Sequence, residues 1–346
     1  MKKEELAKSH YEYFSEYLKN TKVTEILQKS GLDSDPTYEE FFRTLYPTGL
    51  PDEVRAPAVY EANILFHAYH MRSSGERLYY ITENLASRLA NTSINVDTYF
   101  LKSPFREIFV QIDPGLFSVI DLDGTKNPVV GFYVYLREIS GVKQLRIIAC
   151  AILKPTPDIP FNDSVFYYRL NLGPGKIHDE VDNYFKNQIQ FNRDDLERYK
   201  GKMNVDYLQD FTSFVINVLL YLTSKNPDII KQLPVYYNRM LENIKNPVKR
   251  RKLVKRMDKA PKLPIFVAGS SIKDDRNTQA ISRYGSVGKW KLSHQQKVSG
   301  HWREQWYGSA KDSTRHQEVI WIEDYIRGPD AGDVISKTIQ VGKNSL

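Results

Sequence analysis

The sequence predicts an α+β protein, because its patterning changes from helical to extended and back along the chain. Over the first hundred residues, apolar side chains such as Leu6, Tyr13 and Leu18 recur at helical spacing. From Phe105 to about residue 170, runs rich in Val, Ile, Phe and Tyr alternate with short turns. Connections this short favour an antiparallel sheet over helical crossovers.

The individual elements follow from the same patterns. In the N-terminal part we expect helices over about 59–72 and 76–89. The predicted strands cover residues 107–112, 116–122, 129–139, 145–153, 165–170 and, near the C-terminus, 318–322. Helices are expected near 178–190 and 207–225. The second of these carries Phe211, Phe214 and Val218 on one face, so we expect it to cover the sheet.

These elements suggest four segments. Residues 1–100 form a helical N-terminal region that packs with the sheet, and residues 101–244 form the α+β core with its covering helices. Residues 245–299 are a basic arm that we expect to be partly flexible. Residues 300–346 form a small aromatic and basic C-terminal module.

The positive charge is concentrated in one segment. Residues 245–303 hold 16 Lys or Arg against 3 Asp, a net charge of +13 in a chain of net charge +7, which leaves −6 elsewhere. This suggests a polyanionic partner, and nucleic acid fits best because no apolar helix face accompanies the charge. The densest part is the cluster Lys249, Arg250, Arg251 and Lys252, a candidate for RNA contacts. A solvated basic linker would have the same composition.

Composition also limits the function classes. Cys150 is the single cysteine, so an intramolecular disulfide and a cysteine-based zinc site are excluded, and its apolar neighbours indicate a buried strand. The N-terminus lacks an apolar signal region, and the longest apolar run, 214–222, is too short to span a bilayer. We therefore expect a cytoplasmic protein without a membrane, metal or cofactor partner.

Aromatic residues gather near the C-terminus. All four tryptophans lie there, at Trp290, Trp302, Trp306 and Trp321, in or beside the run 300–308. We predict that Trp302, Trp306 and Tyr307 stack on RNA bases, because planar rings provide sequence-tolerant platforms for bases. Such a cluster could also fasten a terminal hairpin to the body of the protein. The predicted phosphate contacts are Arg303, Lys311 and Arg315.

The same region contains the groups that a metal-independent ribonuclease requires. Such an enzyme needs a base, an acid and cations that stabilise the transition state. His301 is the candidate for proton transfer, with His316 and Glu323 nearby in sequence. Simple RNA binding would use the same residue types, so ribonuclease activity of the C-terminal module stays open.

Other motifs have structural explanations. Asp121, Asp123 and Gly124 match the nucleophile motif of haloacid-dehalogenase-like phosphohydrolases. That fold requires a parallel sheet, whereas another predicted strand follows within a few residues, as in an Asp-Gly hairpin turn. Gly173–Gly175 fits a turn that enters a helix. We expect His67 and His70 to be structural.

Several segments together resemble a known family. They are Gly300-His301-Trp302, Trp306, Gly308, the strand around Trp321, residues 109–113, the Asp123-Gly124 turn, residues 131–135 and residues 219–229. In this order and approximate spacing they resemble the type V-A anti-CRISPR family, which suppresses biogenesis of the Cas12-type effector nuclease. Gly-His-Trp is the most specific element, and the resemblance covers roughly residues 100–325.

The resemblance implies a function. Members of that family are carried by phages and plasmids, recognise the N-terminal peptide of the effector as it leaves the ribosome, and cause loss of the encoding mRNA. The implied partners are therefore the nascent peptide of a bacterial defence protein and an mRNA or ribosome. The alternatives are an endoribonuclease or RNA-binding protein of a mobile element that acts without a peptide cue, and the phosphohydrolase. The sequence leaves the oligomeric state open.

Overall fold

The computed structural model describes most of the chain. The described residues are Leu18, 22–31, 36–47, 51–120, 126–151, 165–191, 205–232, 244, 246–252, 265–272, 295–309, 313–327 and 334–335. The helical pattern around Leu6 and Tyr13 lies outside this part of the chain, and so do Lys311 and residues 121–125.

The helices fall into two groups along the chain. In the N-terminal half they are α1 (Val23–Lys29), α2 (Tyr38–Leu45), α3 (Asp52–Ser73) and α4 (Glu83–Ala90). After the long strands come α5 (Ile177–Phe191) and α6 (Val205–Thr223), and a short helix spans 247–252. A single 3-10 turn of the described chain, Thr98–Phe100, follows α4.

The strands form one large sheet and two small ones. They are β1 (Leu78–Ile81), β2 (Glu107–Gln111), β3 (Ser118–Ile120), β4 (Lys126–Ile139), β5 (Val142–Ala151), β6 (Val165–Leu172), β7 (Ile229–Gln232), β8 (Ile265–Ala268), β9 (Gln295–Val298), β10 (His301–Tyr307), β11 (His316–Ile322), β12 (Tyr325–Arg327) and β13 (Val334–Ile335). The large sheet has the order β6-β5-β4-β2-β1-β8-β7, with β3 paired to β4. β10 and β11 form a hairpin, and β9 pairs with β12 and β13.

The predicted α+β class is confirmed, although the sheet is mixed. Neighbours from β2 through β4 and β5 to β6 are antiparallel, as the short connections predicted. β1, however, runs parallel to both β2 and β8. These partners are separated by long stretches of chain, so turn lengths gave no indication of them.

The helix predicted over 76–89 was wrong in its first part. Residues Leu78–Ile81 form β1, and α4 begins only at Glu83. Gly75 and Glu76 both adopt positive φ, which ends α3 and reverses the chain. The following Leu-Tyr-Tyr-Ile run has high strand propensity and pairs on both sides, so tertiary pairing overrides the helical spacing.

Strand alternation divides the interior into two cores. In β2 and β4, Ile108, Val110 and Phe132 point to one face, while Phe109 and Tyr133 point to the other. The first face packs with α4, α5 and α6, and the second with α1, α2 and α3. The sheet therefore lies between two helical layers.

The long helix α6 was predicted correctly and is buried on nearly all sides. Phe211, Phe214–Ile216 and Val218–Leu222 are buried around its whole circumference. A helix that is apolar all round must be covered on more than one face. The sheet covers one side of α6, and α4 and the β10–β11 hairpin cover the other.

Part of the predicted basic arm contributes to the main sheet. β8 pairs with β1 and with β7, and Ala268 and Ile272 are buried in the core. Gly269 follows with a φ of +82°, and a Cβ at this position would lie 2.6 Å from the Leu85 Cβ atom. The segment around β8 is therefore closely packed against α4.

The geometry around the phosphohydrolase-like motif is that of a hairpin. β3, which precedes residues 121–125, pairs antiparallel with β4, which follows them, so that Ile120 lies opposite Lys126. A phosphohydrolase of that class needs a helical crossover to a parallel strand at this point. The topology therefore gives this alternative no support.

The two histidines of α3 are buried, as expected for structural residues. The Nδ1 atom of His67 lies 3.0 Å from Oε1 of Glu107. Burial lowers the pKa of His67 and raises the pKa of Glu107, so both groups favour their neutral forms. Burial also lowers the pKa of His70 to about 3.

Within the described ranges, no helix combines the length and apolar composition needed to cross a bilayer. Nor do three or more His, Cys, Asp or Glu side chains of those ranges come together as a metal site would require.

The buried thiol of Cys150 provides a test of the sheet. Cys150 is 0% exposed in β5, and burial raises its pKa. We expect no reaction with a thiol reagent such as dithionitrobenzoate under native conditions and one equivalent in denaturant. The release of thionitrobenzoate, measured by absorbance, checks this, with Cys150→Ala as the blank. Rapid reaction of the native protein would contradict the placement of β5.

Candidate nucleic-acid interface

The conspicuous aromatic cluster of the sequence forms the β10–β11 hairpin. The pairing is antiparallel and continuous, from His301 opposite Ile322 to Tyr307 opposite His316. Gly308 begins the turn with a φ of +80°, and a Cβ there would lie 2.4 Å from the Thr314 carbonyl oxygen. The turn therefore requires glycine.

Because side chains alternate along each strand, the aromatic residues of the hairpin lie on two different faces. Directly opposed residues share a face of an antiparallel pair. One face carries Trp302, Glu304, Trp306, Gln317, Val319 and Trp321. Trp302 and Val319 are buried in the core on this face, and the Trp321 ring meets the Tyr221 ring edge-on at 5.5 Å.

Trp302 is tied to the interior by a buried hydrogen bond. Its indole Nε1–H donates to Oδ1 of Asn217 on α6 at 2.7 Å. The Asn217 amide in turn donates to the carbonyl oxygens of Leu89 and Thr92, at 2.8 and 2.7 Å, at the C-terminal end of α4. One side chain thus joins α6, α4 and the hairpin.

This geometry corrects the role expected for Trp302. Its side chain is only 9% exposed and its single donor is already bonded, so it cannot serve as a stacking surface for a base. Trp302 instead fastens the hairpin to the body, which was the structural alternative for the cluster. Gly300 supports the same packing, because a Cβ there would lie 3.3 Å from the Trp321 ring.

Charged pairs hold the hairpin along its length. Arg88 of α4 pairs with Asp324, just after β11. Lys176 lies 3.0 Å from Glu304, and Lys225 lies 2.9 Å from Glu318. These contacts link the hairpin to α4, to the residue before α5 and to the segment that follows α6.

Trp306 is presented to solvent at the far end of the hairpin. It shares a face with Trp302 but is 50% exposed. The guanidinium of Arg315 lies 4.5 Å from the centroid of its ring. An exposed indole beside an arginine can stack on a base while the cation meets a phosphate. The structure thus brings together two of the predicted RNA-binding residues.

Tyr307 and His316 form a second pair at the same end. Their rings stack with centroids 6.1 Å apart, and Lys225 Nζ lies 3.3 Å from the Tyr307 ring centroid. His316 Nδ1 faces the Thr314 carbonyl oxygen at 2.8 Å, and Nε2 faces Glu318 Oε1 at 3.0 Å. Both ring nitrogens therefore meet acceptors, which favours the imidazolium.

The contacts of His316 shift both its own pKa and that of Glu318. The Thr314 carbonyl, followed by the Glu318 carboxylate, raises the pKa of His316. Hydrogen bonds from Lys225 and His316 lower the pKa of Glu318. Lys225 and His316 therefore place positive charge around the ionised Glu318 carboxylate, on the face of the hairpin opposite Trp302.

The other candidate residues lie elsewhere. His301 is at the opposite end of β10, where its Nδ1 atom faces the Ser299 carbonyl oxygen at 3.0 Å. The strand rises about 3.4 Å per residue, so His301 lies roughly 20 Å from His316 and cannot share a phosphate with it. Arg303 is exposed on the outer face of the hairpin. Lys311 lies outside the described residues.

The basic cluster is on the surface. Lys249, Arg250, Arg251 and Lys252 are exposed in the short helix at 247–252. Asn246 caps this helix, because its Oδ1 atom accepts from the backbone N–H groups of Val248 and Lys249. The helix therefore presents four cations to solvent next to each other.

A cleft that no local sequence pattern indicated lies beside the hairpin. It has a volume of about 310 Å³ and lies between the 3-10 turn, the end of α6 and β11. The lining residues are Phe100, Lys102, Leu220, Thr223, Ser224, Lys225, Gln317, Glu318 and Val319. They come from three distant parts of the chain, and no local motif marks them.

Comparison with known proteins gives one family. The sequence profile of the AcrVA2-like family, described as the anti-CRISPR type V subtype A2 family, matches residues 79–328. This range begins within β1 and ends just after β12, so it contains the large sheet from β1 onward, α6 and the hairpin. A comparison with curated proteins gave no match.

The two hairpin tryptophans should differ in their effect on stability. Trp302→Phe leaves the buried Asn217 oxygen without its donor, so we expect a loss of about 1–3 kcal/mol in the free energy of unfolding. Trp306→Phe is the matched control, and its exposed position should keep the change within about 0.5 kcal/mol. Urea unfolding measures both. Equal effects would contradict the assignment of Trp302 as the anchor.

The titration of His316 should report its two acceptors. We expect its pKa, measured by NMR, to lie above 6.5 and to fall in Glu318→Gln. Because the folded contacts favour the imidazolium, their contribution to stability is present at low pH. It is lost as the pH rises through the folded pKa. A pKa unaffected by Glu318→Gln would show that the contact between the two side chains is absent in solution.

Proposed function

The chain belongs to the AcrVA2-like family of type V anti-CRISPR proteins, and we propose that it silences a type V effector during translation. In this proposal it recognises the N-terminal peptide of the effector as it is synthesised and causes loss of the mRNA. The family match over residues 79–328 is the observation that carries the anti-CRISPR role. In this proposal the protein acts in the cytoplasm of the bacterial host, where the effector is synthesised, and its gene is carried by a phage or another mobile element.

We propose that the far end of the hairpin faces the RNA. Trp306 supplies an exposed stacking surface, and Arg315 lies against it as a phosphate ligand. Tyr307, which Lys225 and His316 contact, offers a second ring on the opposite face of the same hairpin end. Lys311, Arg303 and the basic helix at 247–252 add positive charge that would draw in a polyanion.

The arrangement favours recruitment of a nuclease over cleavage by the protein itself. A metal-independent ribonuclease needs its acid and base within hydrogen-bonding reach of the same phosphodiester. His301 and His316 are at opposite ends of the hairpin, and both ring nitrogens of His316 already face acceptors. We therefore propose that a nuclease of the host degrades the transcript.

A reporter assay in bacteria tests this function. Three reporters would carry the opening codons of a type V effector in native, synonymously recoded and frameshifted form. If the peptide is read, transcript and protein should fall for the native and recoded reporters and stay constant for the frameshifted one. Quantitative PCR and fluorescence measure the two levels. Loss from all three would indicate a general action on RNA and would contradict peptide recognition.

Variants of the protein test whether the exposed end of the hairpin is needed for transcript loss. Trp306→Ala should reduce transcript loss, because losing one stacking ring weakens RNA binding by about 1–3 kcal/mol per base. Tyr325→Ala removes an aromatic ring of 38% exposure outside the proposed surface and should retain full activity. Full activity of Trp306→Ala would contradict a role of the hairpin end in RNA binding.

A further inference from the structure

The cleft beside the hairpin is continuous with the proposed RNA-facing surface. Gln317, which lines the cleft, is paired directly with Trp306 across the hairpin. Lys225, another lining residue, contacts the Tyr307 ring. Gln317 and Lys225 therefore lie at the boundary between the cleft and the exposed end of the hairpin.

A second exposed aromatic ring lies on the other side of the cleft. Tyr99 is 68% exposed, although its neighbours Thr98 and Phe100 are buried. The 3-10 turn produces this arrangement, since it is fixed by hydrogen bonds from Thr98 N to Gly175 O and from Leu101 N to Thr98 O. The turn thus holds the phenol ring in solvent beside Phe100, which lines the cleft.

The interior of the cleft combines an apolar floor with positive charge. Phe100, Leu220 and Val319 supply buried apolar surface. Lys102 and Lys225 are the lining cations, and the Lys102 ammonium lies 5.4 Å from the Tyr99 ring centroid. The one lining acid, Glu318, already faces Lys225 and His316. The lining is therefore net positive.

Two hydroxyl groups also line the cleft. Thr223 and Ser224 donate their hydroxyl hydrogens to the carbonyl oxygens of Leu219 and Tyr221. Their oxygens therefore remain acceptors for a ribose hydroxyl or a base amino group. The volume of about 310 Å³ is at the small end of the range for ligand sites, roughly 300–1,000 Å³.

We infer that this cleft holds one nucleotide of single-stranded RNA, with neighbouring bases stacked on Tyr99 and on Trp306. This inference rests on the proposed function, since it extends the same RNA-facing surface. An apolar floor suits a base, and lysines suit phosphates as point charges. The net positive lining favours a polyanion such as RNA over an uncharged peptide. Tyr99 and Lys102 become RNA contacts that the hairpin alone does not provide.

Oligonucleotide binding tests the inference. The probe is fluorescein-labelled oligouridine of roughly eight nucleotides, a typical length for single-strand sites, measured by fluorescence anisotropy with the full chain. Tyr99→Ala should weaken binding about 5- to 150-fold, the range expected for one stacked base. Lys102→Ala should reduce the slope of log affinity against log salt concentration by about 0.7.

Two matched variants control for general effects. Tyr325→Ala removes another exposed ring, and Lys186→Ala removes a lysine that is 74% exposed on α5. Both should bind the probe with the affinity of the unaltered protein. Circular dichroism establishes that all variants are folded.

The outcomes separate the inference from the proposed function. If Tyr99→Ala behaves like Tyr325→Ala, or Lys102→Ala leaves the salt slope unchanged, the cleft does not hold a nucleotide. Absence of probe binding, or equal competition by an oligoglutamate peptide of matched charge, would overturn it as well. Transcript loss in the reporter assay is read independently. If transcript loss persists alongside any of these results, the nucleotide-binding inference is wrong and the proposed function is unaffected.

Discussion

The arrangement of the C-terminal half depends on the side-chain amide of Asn217. This amide is 0% exposed, and all three of its principal hydrogen-bonding positions face a partner, namely the Trp302 indole and the carbonyls of Leu89 and Thr92. Water cannot replace any of these partners in the interior, where an unpaired polar group costs about 1–3 kcal/mol. The amide therefore fixes one relative position of α6, α4 and the hairpin.

The anchored base of the hairpin explains how its far end can remain exposed without being loose. Trp302 and Val319 lie in the core, while Lys176 and Lys225 each hold a carboxylate of the hairpin from the side. An exposed aromatic ring on a fixed strand loses little further conformational freedom when it meets a partner. Trp306 is thus presented in a conformation that is ready for binding, which a mobile tail would not provide.

Local pattern was sufficient for much of the fold. It identified α6, the antiparallel strands β2, β4, β5 and β6, and the final strand β11, because each has a long apolar run of one period. β1 was missed because its four residues pair with β8, which is distant in the sequence. The hydrogen bond between Thr82 and Gly269, which directly follow the two strands, spans 187 residues. Trp302 and Trp306 share the same local sequence setting. Only a partner at Asn217, 85 residues away, distinguishes the anchor from the exposed ring. The family resemblance, by contrast, was confirmed, because its motifs extend over the matched range.

The parallel position of β8 also constrains how this protein is made. β1 leaves the ribosome well before β8, because the strand that covers its outer side is encoded nearly two hundred residues later. Until then, the edge of β1 presents unpaired backbone groups, and the apolar surface of α6 that receives Trp302 is uncovered. The molecule can therefore reach its final form only after the hairpin has been synthesised, and translation that stops before the hairpin would release an incomplete, aggregation-prone product.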